Sequence, residues 1–170
     1  MTANGYLGAI GAESAMEQSA SGRCECGGVS YTVVGPLRSV WNCHCHRCRR
    51  FTGHHMAATG SSPGMVRFTS DTTLTWYSPD PSVAYAFCST CGSSLFWRAA
   101  ARPDQLSICA GTLDQPTGLR TSSAWWMAEH GDYHTPEPNV NELVDEARTE
   151  SAELPIGAIV QQGERCPKRH

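Results

Sequence analysis

The centre of the chain reads Cys43-His44-Cys45-His46-Arg47-Cys48. Two short cysteine pairs flank this stretch: Cys24-Glu25-Cys26 precedes it and Cys88-Ser89-Thr90-Cys91 follows it. Cysteines one to three residues apart can direct their sulfurs at one point about 2.3 Å away, which is the length of a zinc–sulfur bond. A disulfide within a Cys-x-Cys pair would be strained, so a disulfide framework or a set of inert core thiols is the less favoured interpretation. The spacing therefore predicts metal binding.

The seven clustered cysteines divide into a set of four and a set of three. The set of four consists of Cys24, Cys26, Cys88 and Cys91. Four thiolates make a closed tetrahedral site, so this set predicts a structural zinc that ties distant parts of the chain together. The set of three consists of Cys43, Cys45 and Cys48. Three ligands leave one tetrahedral position open, which is typical of a catalytic or substrate-binding zinc and suits an incoming thiolate.

Arginines and histidines surround the set of three. Arg47, Arg49 and Arg50 favour the thiolate forms by their charge and are predicted to attract an anionic substrate. A histidine could instead fill the open position and make the site structural. The candidates are His44, His46, His54 and His55. Because His44 and His46 alternate with the cysteines, we expect their side chains to point away from the metal, and we favour the open site.

The composition argues against a nucleic-acid-binding protein and against a membrane protein. The chain has 170 residues, a formal net charge of -3 and a pI near 6.1. One lysine, Lys168, stands against twelve arginines, so no basic stripe is present and nucleic acid is not an expected partner. No apolar run approaches the ~20 residues of a membrane span, and we expect a cytoplasmic protein without membrane contact. The oligomeric state is not predicted.

Short alternating apolar runs predict a mainly β fold. The predicted strands cover residues 29–33, 39–43, 65–69, 74–77, 84–87, 94–97 and 106–110. One short C-terminal helix is predicted over 140–148, with Asn139 as its cap. We expect a disordered N-terminal tail over 1–21, a zinc-binding domain over 22–150 and an irregular tail over 151–170. Cys109 lies on an apolar strand and is expected in the core.

The motifs stand in an order that is found in a known family. They are Gly22-Arg23-Cys24-Glu25-Cys26-Gly27-Gly28, Cys43-His44-Cys45-His46-Arg47-Cys48-Arg49, Phe87-Cys88-Ser89-Thr90-Cys91-Gly92 and Gly111-Thr112-Leu113-Asp114. This order resembles the family of glutathione-dependent formaldehyde-activating enzymes, to which centromere protein V is also similar. The resemblance implies a β-tent fold of small antiparallel sheets and two zinc ions per chain, one structural on the set of four and one catalytic on the set of three. It also implies a carbon–sulfur lyase that joins glutathione and formaldehyde, or releases them from S-hydroxymethylglutathione.

The resulting functional hypothesis is a zinc-dependent enzyme that acts on a small thiol, glutathione or an equivalent, and on an aldehyde such as formaldehyde. Two alternatives remain open. A non-enzymatic, zinc-stabilised binding module would have two closed metal sites and a partner surface. A thiol redox sensor would release zinc when Cys43, Cys45 and Cys48 are oxidised to a disulfide.

Overall fold

The structure, a computed structural model, describes residues 18–143 and is mainly β. The strands are β1 (Ser19–Arg23), β2 (Val29–Val34), β3 (Val40–Cys43), β4 (Met56–Ser61), β5 (Val66–Asp71), β6 (Leu74–Asp80), β7 (Val83–Cys88), β8 (Ser94–Ala99), β9 (Leu106–Cys109), β10 (Thr121–Trp125) and β11 (Asn141–Leu143). The α-helix α1 covers His46–Thr52, and short 3-10 helices cover Pro63–Met65, Ala110–Thr112 and Met127–Glu129. The predicted fold class is confirmed.

Two compact units make up the described chain. The first comprises 18–38, Gly60–Ile108 and Thr112–Gly118. It contains a three-stranded sheet in the order β1-β2-β5 and an antiparallel meander of β6, β7, β8 and β9. Along β2 the side chains alternate between buried and half-buried, as the period of a strand requires. The buried Tyr31 ring packs edge to face on Phe96, with centroids 5.0 Å apart, and this aromatic contact lies in the core of the unit.

The second unit comprises Ser39–Thr59, Cys109–Gly111 and the described residues from Leu119 onward. Its central strand β3 pairs antiparallel with β4 and parallel with β10, and β10 pairs parallel with β11. Helix α1 follows β3 after a turn of two residues and ends at Gly53. Cys43 is therefore at the end of a strand, while Cys45 and Cys48 are at the start of a helix.

The prediction of a helix over 140–148 is wrong at its N-terminal end. Asn141–Leu143 form the strand β11 beside Ser123–Trp125 of β10. Asn139, expected to cap a helix, instead has a φ of 65°, the left-handed conformation that asparagine tolerates in turns. Pairing with a neighbouring strand outweighs the local helical periodicity here. Residues 144–148 lie outside the described residues.

The N-terminal boundary also differs from the prediction. Strand β1 begins at Ser19, so the predicted disordered tail over 1–21 is wrong at its end, and 1–17 lie outside the described chain. β1 is held through pairing with β2, from Ser19 opposite Val34 to Arg23 opposite Ser30. The domain limits 22–150 stay a prediction, and the tail predicted over 151–170 is outside the described range.

Candidate metal centres

The structure brings the set of four cysteines together in the first unit, and we call this group the four-cysteine cluster. Cys24 and Cys26 lie in the turn from β1 to β2, whereas Cys88 ends β7 and Cys91 lies in the turn before β8. Their four sulfurs all lie within 4.8 Å of one another. The Cys26 Sγ is 3.6 Å from the sulfurs of both Cys24 and Cys88. Tetrahedral coordination at about 2.3 Å places sulfurs about 3.8 Å apart, so the donor set fits a tetrahedral zinc ion.

Hydrogen-bond donors surround these sulfurs. The Val29 N–H donates to Cys24 Sγ at 3.2 Å, and the Thr73 hydroxyl lies 3.1 Å from Cys88 Sγ. The Thr73 hydroxyl lowers the pKa of Cys88, and the Ser93 hydroxyl lowers the pKa of Cys91 to about 5. Such contacts stabilise thiolates and orient them as ligands.

Cys26 shows why several thiolates at this spacing need a cation. A backbone hydrogen bond from Gly28 lowers the pKa of Cys26, but the neighbouring thiols of Cys24, Cys88 and Cys91 outweigh it and raise that pKa to about 12. Sulfurs a few ångströms apart cannot all ionise alone, because their negative charges repel. A bound divalent cation removes this repulsion. The four-cysteine cluster is therefore chemically suited to a metal ion.

Two glycines shape the turns of this cluster. Gly27 and Gly92 follow the two cysteine pairs with φ values of 78° and 77°. The Gly92 N–H donates to the Cys88 carbonyl at 2.8 Å and so closes the turn that contains Cys91. Left-handed backbone is unfavourable for residues with a Cβ, so the sequence places glycine at both positions.

Gly92→Ala should destabilise the metal-loaded protein by about 1 kcal/mol and lower its melting temperature by roughly 2–4 °C, because alanine is strained in left-handed backbone. Thermal denaturation followed by circular dichroism measures the change. Gly111→Ala is the matched control, since a Cβ at Gly111 meets no atom within 4 Å and its backbone is not left-handed. Equal melting temperatures for the two variants would contradict this account of the turn.

The set of three cysteines also comes together, in the second unit, as the three-cysteine cluster. The sulfurs of Cys43, Cys45 and Cys48 lie within 4.8 Å of one another, and Cys45 and Cys48 are each only 4% exposed. Cys45 is the N-cap of α1, where its Sγ accepts a hydrogen bond from the Cys48 N–H at 3.5 Å. The neighbouring thiols of Cys45 and Cys48, followed by burial, hold the pKa of Cys43 well above its usual value. Three crowded thiols of this kind could hold a metal cation.

The alternative in which a histidine fills the open position has no support in the described part of the chain. No histidine between residues 18 and 143 joins the group of Cys43, Cys45 and Cys48. His46 instead faces Glu129, whose carboxylate accepts from the His46 backbone N–H at 2.8 Å and lies 3.4 Å from His46 Nδ1. The arrangement favours a site with three protein sulfurs.

The three arginines predicted to attract an anion all lie on α1. Arg47 and Arg49 are half-buried and Arg50 is exposed. Positions four apart share a helix face, so Arg49 lies on the same face as Cys45, whereas Arg50 is two positions from Cys48 and lies on the opposite side. The Arg49 Nε is buried and has no hydrogen-bond partner within the described residues. Of the three, Arg49 combines a buried guanidinium nitrogen with a position on the face of α1 that carries Cys45.

Comparison with known proteins assigns the family. Residues 19–129 match the family model described as glutathione-dependent formaldehyde-activating enzyme. The chain belongs to this family. The matched stretch contains both cysteine clusters, which agrees with the order of motifs in the sequence. Membership connects the chain with chemistry that involves glutathione and formaldehyde.

Comparisons with solved structures and with curated proteins do not contribute to the family assignment. A crystal structure of a Rhodobacter sphaeroides protein is 25% identical in sequence and has a TM-score of 0.49. The similarity covers 56% of this chain and 88% of that chain. The search of curated proteins finds no match.

Two further predictions concern single features. Cys109 is 9% exposed, and burial raises the pKa of its thiol to about 12, so it is a core residue as expected. Among the described residues, no helix has the length and apolar character that a membrane span requires.

A third cluster, which the sequence does not predict, lies in the second unit outside the cysteines. His44, His55 and His134, here called the histidine group, each place a ring nitrogen within 4.8 Å of the others. Burial, followed by the positive charge of His55, lowers the pKa of His44 to about 4, and burial also lowers the pKa of His55. No spacing pattern in the sequence joins these residues, and His134 lies beyond the stretch that matches the glutathione-dependent formaldehyde-activating family.

Proposed function

We propose that the protein is a zinc-dependent carbon–sulfur lyase that forms and cleaves the S-hydroxymethyl adduct of a small thiol and formaldehyde. The single observation that carries the proposal is the three-cysteine cluster, a set of three protein sulfurs in a chain of the formaldehyde-activating family. A zinc site with three protein ligands has a fourth position at which water or substrate can bind and exchange. Glutathione is the thiol that the family description favours.

We assign one zinc ion to each cysteine cluster. Cys24, Cys26, Cys88 and Cys91 would hold the structural ion, and Cys43, Cys45 and Cys48 would hold the catalytic ion. When bound at the second cluster, zinc supplies a cationic centre that favours the thiolate form of sulfur. The hydrogen bond from the Cys48 N–H fixes the Cys45 sulfur, so the protein part of this cluster is organised before substrate arrives.

The proposed reaction is the addition of a thiol to the carbonyl group of an aldehyde. The substrate thiol loses its proton, its sulfur forms a bond to the aldehyde carbon, and the carbonyl π bond breaks. The oxygen that results takes up a proton and becomes the hydroxyl of the S-hydroxymethyl product. The reverse order of events releases the thiol and formaldehyde, so no oxidant or reductant is consumed.

Arg49 is proposed to position the substrate. Its guanidinium stays charged at neutral pH and binds carboxylates, of which glutathione carries two. Its buried Nε has no hydrogen-bond partner in the described structure, so a substrate carboxylate would satisfy a donor that otherwise remains unpaired.

Catalysis is tested by exchange NMR spectroscopy with ¹³C-labelled formaldehyde and glutathione in the presence of zinc-loaded protein. We expect exchange between free and adduct formaldehyde to be faster than in buffer. Exchange at the buffer rate with every thiol tested would contradict the proposal and favour a binding module. Release of zinc by low concentrations of peroxide, without any turnover of adduct, would favour a redox sensor.

Arg49→Ala should raise the KM for glutathione about tenfold and leave kcat nearly unchanged, because one charge-assisted hydrogen bond is lost in both ground and transition states. Steady-state kinetics measure both constants. Arg120→Ala is the matched control, since it removes the same charge from an exposed side chain of the second unit. With 2-mercaptoethanol, which has no carboxylate, Arg49→Ala should have no such effect. An equal rise in KM for both thiols would argue against carboxylate binding.

A further inference from the structure

We propose that the histidine group of His44, His55 and His134 is a further metal site that binds a divalent transition-metal ion such as Zn²⁺, Co²⁺ or Ni²⁺. Its three ligands are histidines that belong to neither cysteine cluster. The inference therefore does not depend on the proposed lyase activity.

The three rings converge within the second unit. The His44 ring centroid lies 4.8 Å from that of His55 and 4.5 Å from that of His134. The centroids of His55 and His134 are 5.7 Å apart. Zinc–nitrogen bonds of about 2.0–2.1 Å place tetrahedral ligand nitrogens roughly 3.4 Å apart. Because the nitrogens already lie within 4.8 Å, rotations of the side chains can close the site.

His44 supplies an independent sign of a missing ligand. The residue is 1% exposed, and its Nε2 is buried without a hydrogen-bond partner among the described residues. A buried polar atom without a partner is unfavourable, so native proteins rarely leave one. A metal ion would satisfy this nitrogen.

A small pocket adjoins the histidine group. His44 and His134 line it together with Asn42, Glu137 and Glu142. The Asn42 Oδ1 is also buried without a partner in the described structure, while its Nδ2 donates to Glu137 at 3.4 Å. Two carboxylates and an unpaired amide oxygen at one pocket favour a cation rather than an anion.

His54 orients one of the ligands. The Nδ1 atoms of His54 and His55 are 2.7 Å apart, so they share a hydrogen bond and leave His55 Nε2 for a metal. A metal-binding histidine usually has its second nitrogen fixed in this way. His54 is therefore a positioning residue for the site.

The donor set indicates the class of ion. Imidazole binds a metal through a ring nitrogen that carries no proton. Imidazole nitrogen suits zinc, copper, iron and nickel better than it suits calcium or magnesium, which prefer oxygen. Three imidazoles also leave one position of a tetrahedral ion for a further ligand.

The test uses the full-length protein loaded with only two equivalents of Zn²⁺ per chain, enough for the two thiolate clusters and not for the histidine group, in a titration with Co²⁺. We expect one additional equivalent of Co²⁺ with visible d–d bands and without a sulfur-to-cobalt charge-transfer band. His134→Ala and His55→Ala should each weaken this binding at least about tenfold. Both residues are only half-buried, and circular dichroism confirms that the variants are folded.

His130→Ala is the matched control, because His130 lies in the same segment but contacts the Met127 carbonyl through Nδ1 and is not part of the histidine group. It should bind Co²⁺ as the wild type does. The proposal is overturned if zinc-loaded wild type binds no additional Co²⁺, if all variants bind it equally, or if the additional ion shows a sulfur-to-cobalt band.

Discussion

Cys88→Ser should lower the free energy of unfolding of the zinc-loaded protein by at least about 3 kcal/mol, because loss of a structural metal ligand removes binding energy that exists only in the folded state. Cys88 is fully buried at the end of β7, and its sulfur lies 3.6 Å from that of Cys26. A serine oxygen there is a poor substitute for a soft thiolate. Urea denaturation followed by fluorescence or circular dichroism measures the change.

Cys109→Ala controls for the removal of a buried cysteine that belongs to neither cluster. It deletes one sulfur from a packed site and should be destabilising by about 1 kcal/mol. An excess of chelator should lower the stability of wild type and Cys109→Ala but have a much smaller effect on Cys88→Ser. If Cys88→Ser is no less stable than Cys109→Ala, the four-cysteine cluster is not a structural metal site.

Cys45→Ser should reduce kcat/KM for adduct formation by about 10³-fold while the protein stays folded. The expected loss corresponds to several kcal/mol of stabilisation supplied by a catalytic metal. The residue also accepts the hydrogen bond from the Cys48 N–H, so its replacement disturbs the three-cysteine cluster at its centre. Exchange NMR spectroscopy with labelled formaldehyde gives the rate, and elemental analysis gives the metal content.

Cys109→Ala again provides the comparison, since Cys109 belongs to the same unit as the three-cysteine cluster. It should retain both the activity and the metal content of wild type. Cys45→Ser should lose about one metal equivalent and keep the circular dichroism spectrum of wild type. Unchanged metal content together with unchanged thiol-dependent activity in Cys45→Ser would exclude the proposed catalytic role.

Much of the β-structure could be predicted from local pattern. The alternation of Val29, Tyr31 and Val33 marks β2, and all three side chains are buried in the structure. Strand β1 offers no such pattern, because Ser-Ala-Ser-Gly-Arg lacks large apolar residues and depends on pairing with β2. Strand β11 is not predictable for the opposite reason, since its sequence has a helical period that pairing with β10 overrides.

The two cysteine clusters were predictable because sulfur ligands carry a strong spacing signal. Helix α1 was not predicted, although it contains Cys48 and begins beside Cys45. The histidine group could not be found from sequence, since His134 reaches His44 and His55 only through the tertiary fold. In a sequence, histidines without a regular spacing cannot be distinguished from ordinary surface residues. Only the structure shows that their rings lie close together.

The proposed function requires that the three-cysteine cluster bind the sulfur of a small thiol. Absorption spectroscopy of the Co²⁺-substituted protein shows whether it does. Titration with glutathione should strengthen the sulfur-to-cobalt charge-transfer band in a saturable manner, because a further sulfur ligand is added. S-methylglutathione, in which the thiol is blocked, should leave the band unchanged, and so should glutathione added to Cys45→Ser. A band that does not respond to saturating glutathione in the wild-type protein would contradict the claim.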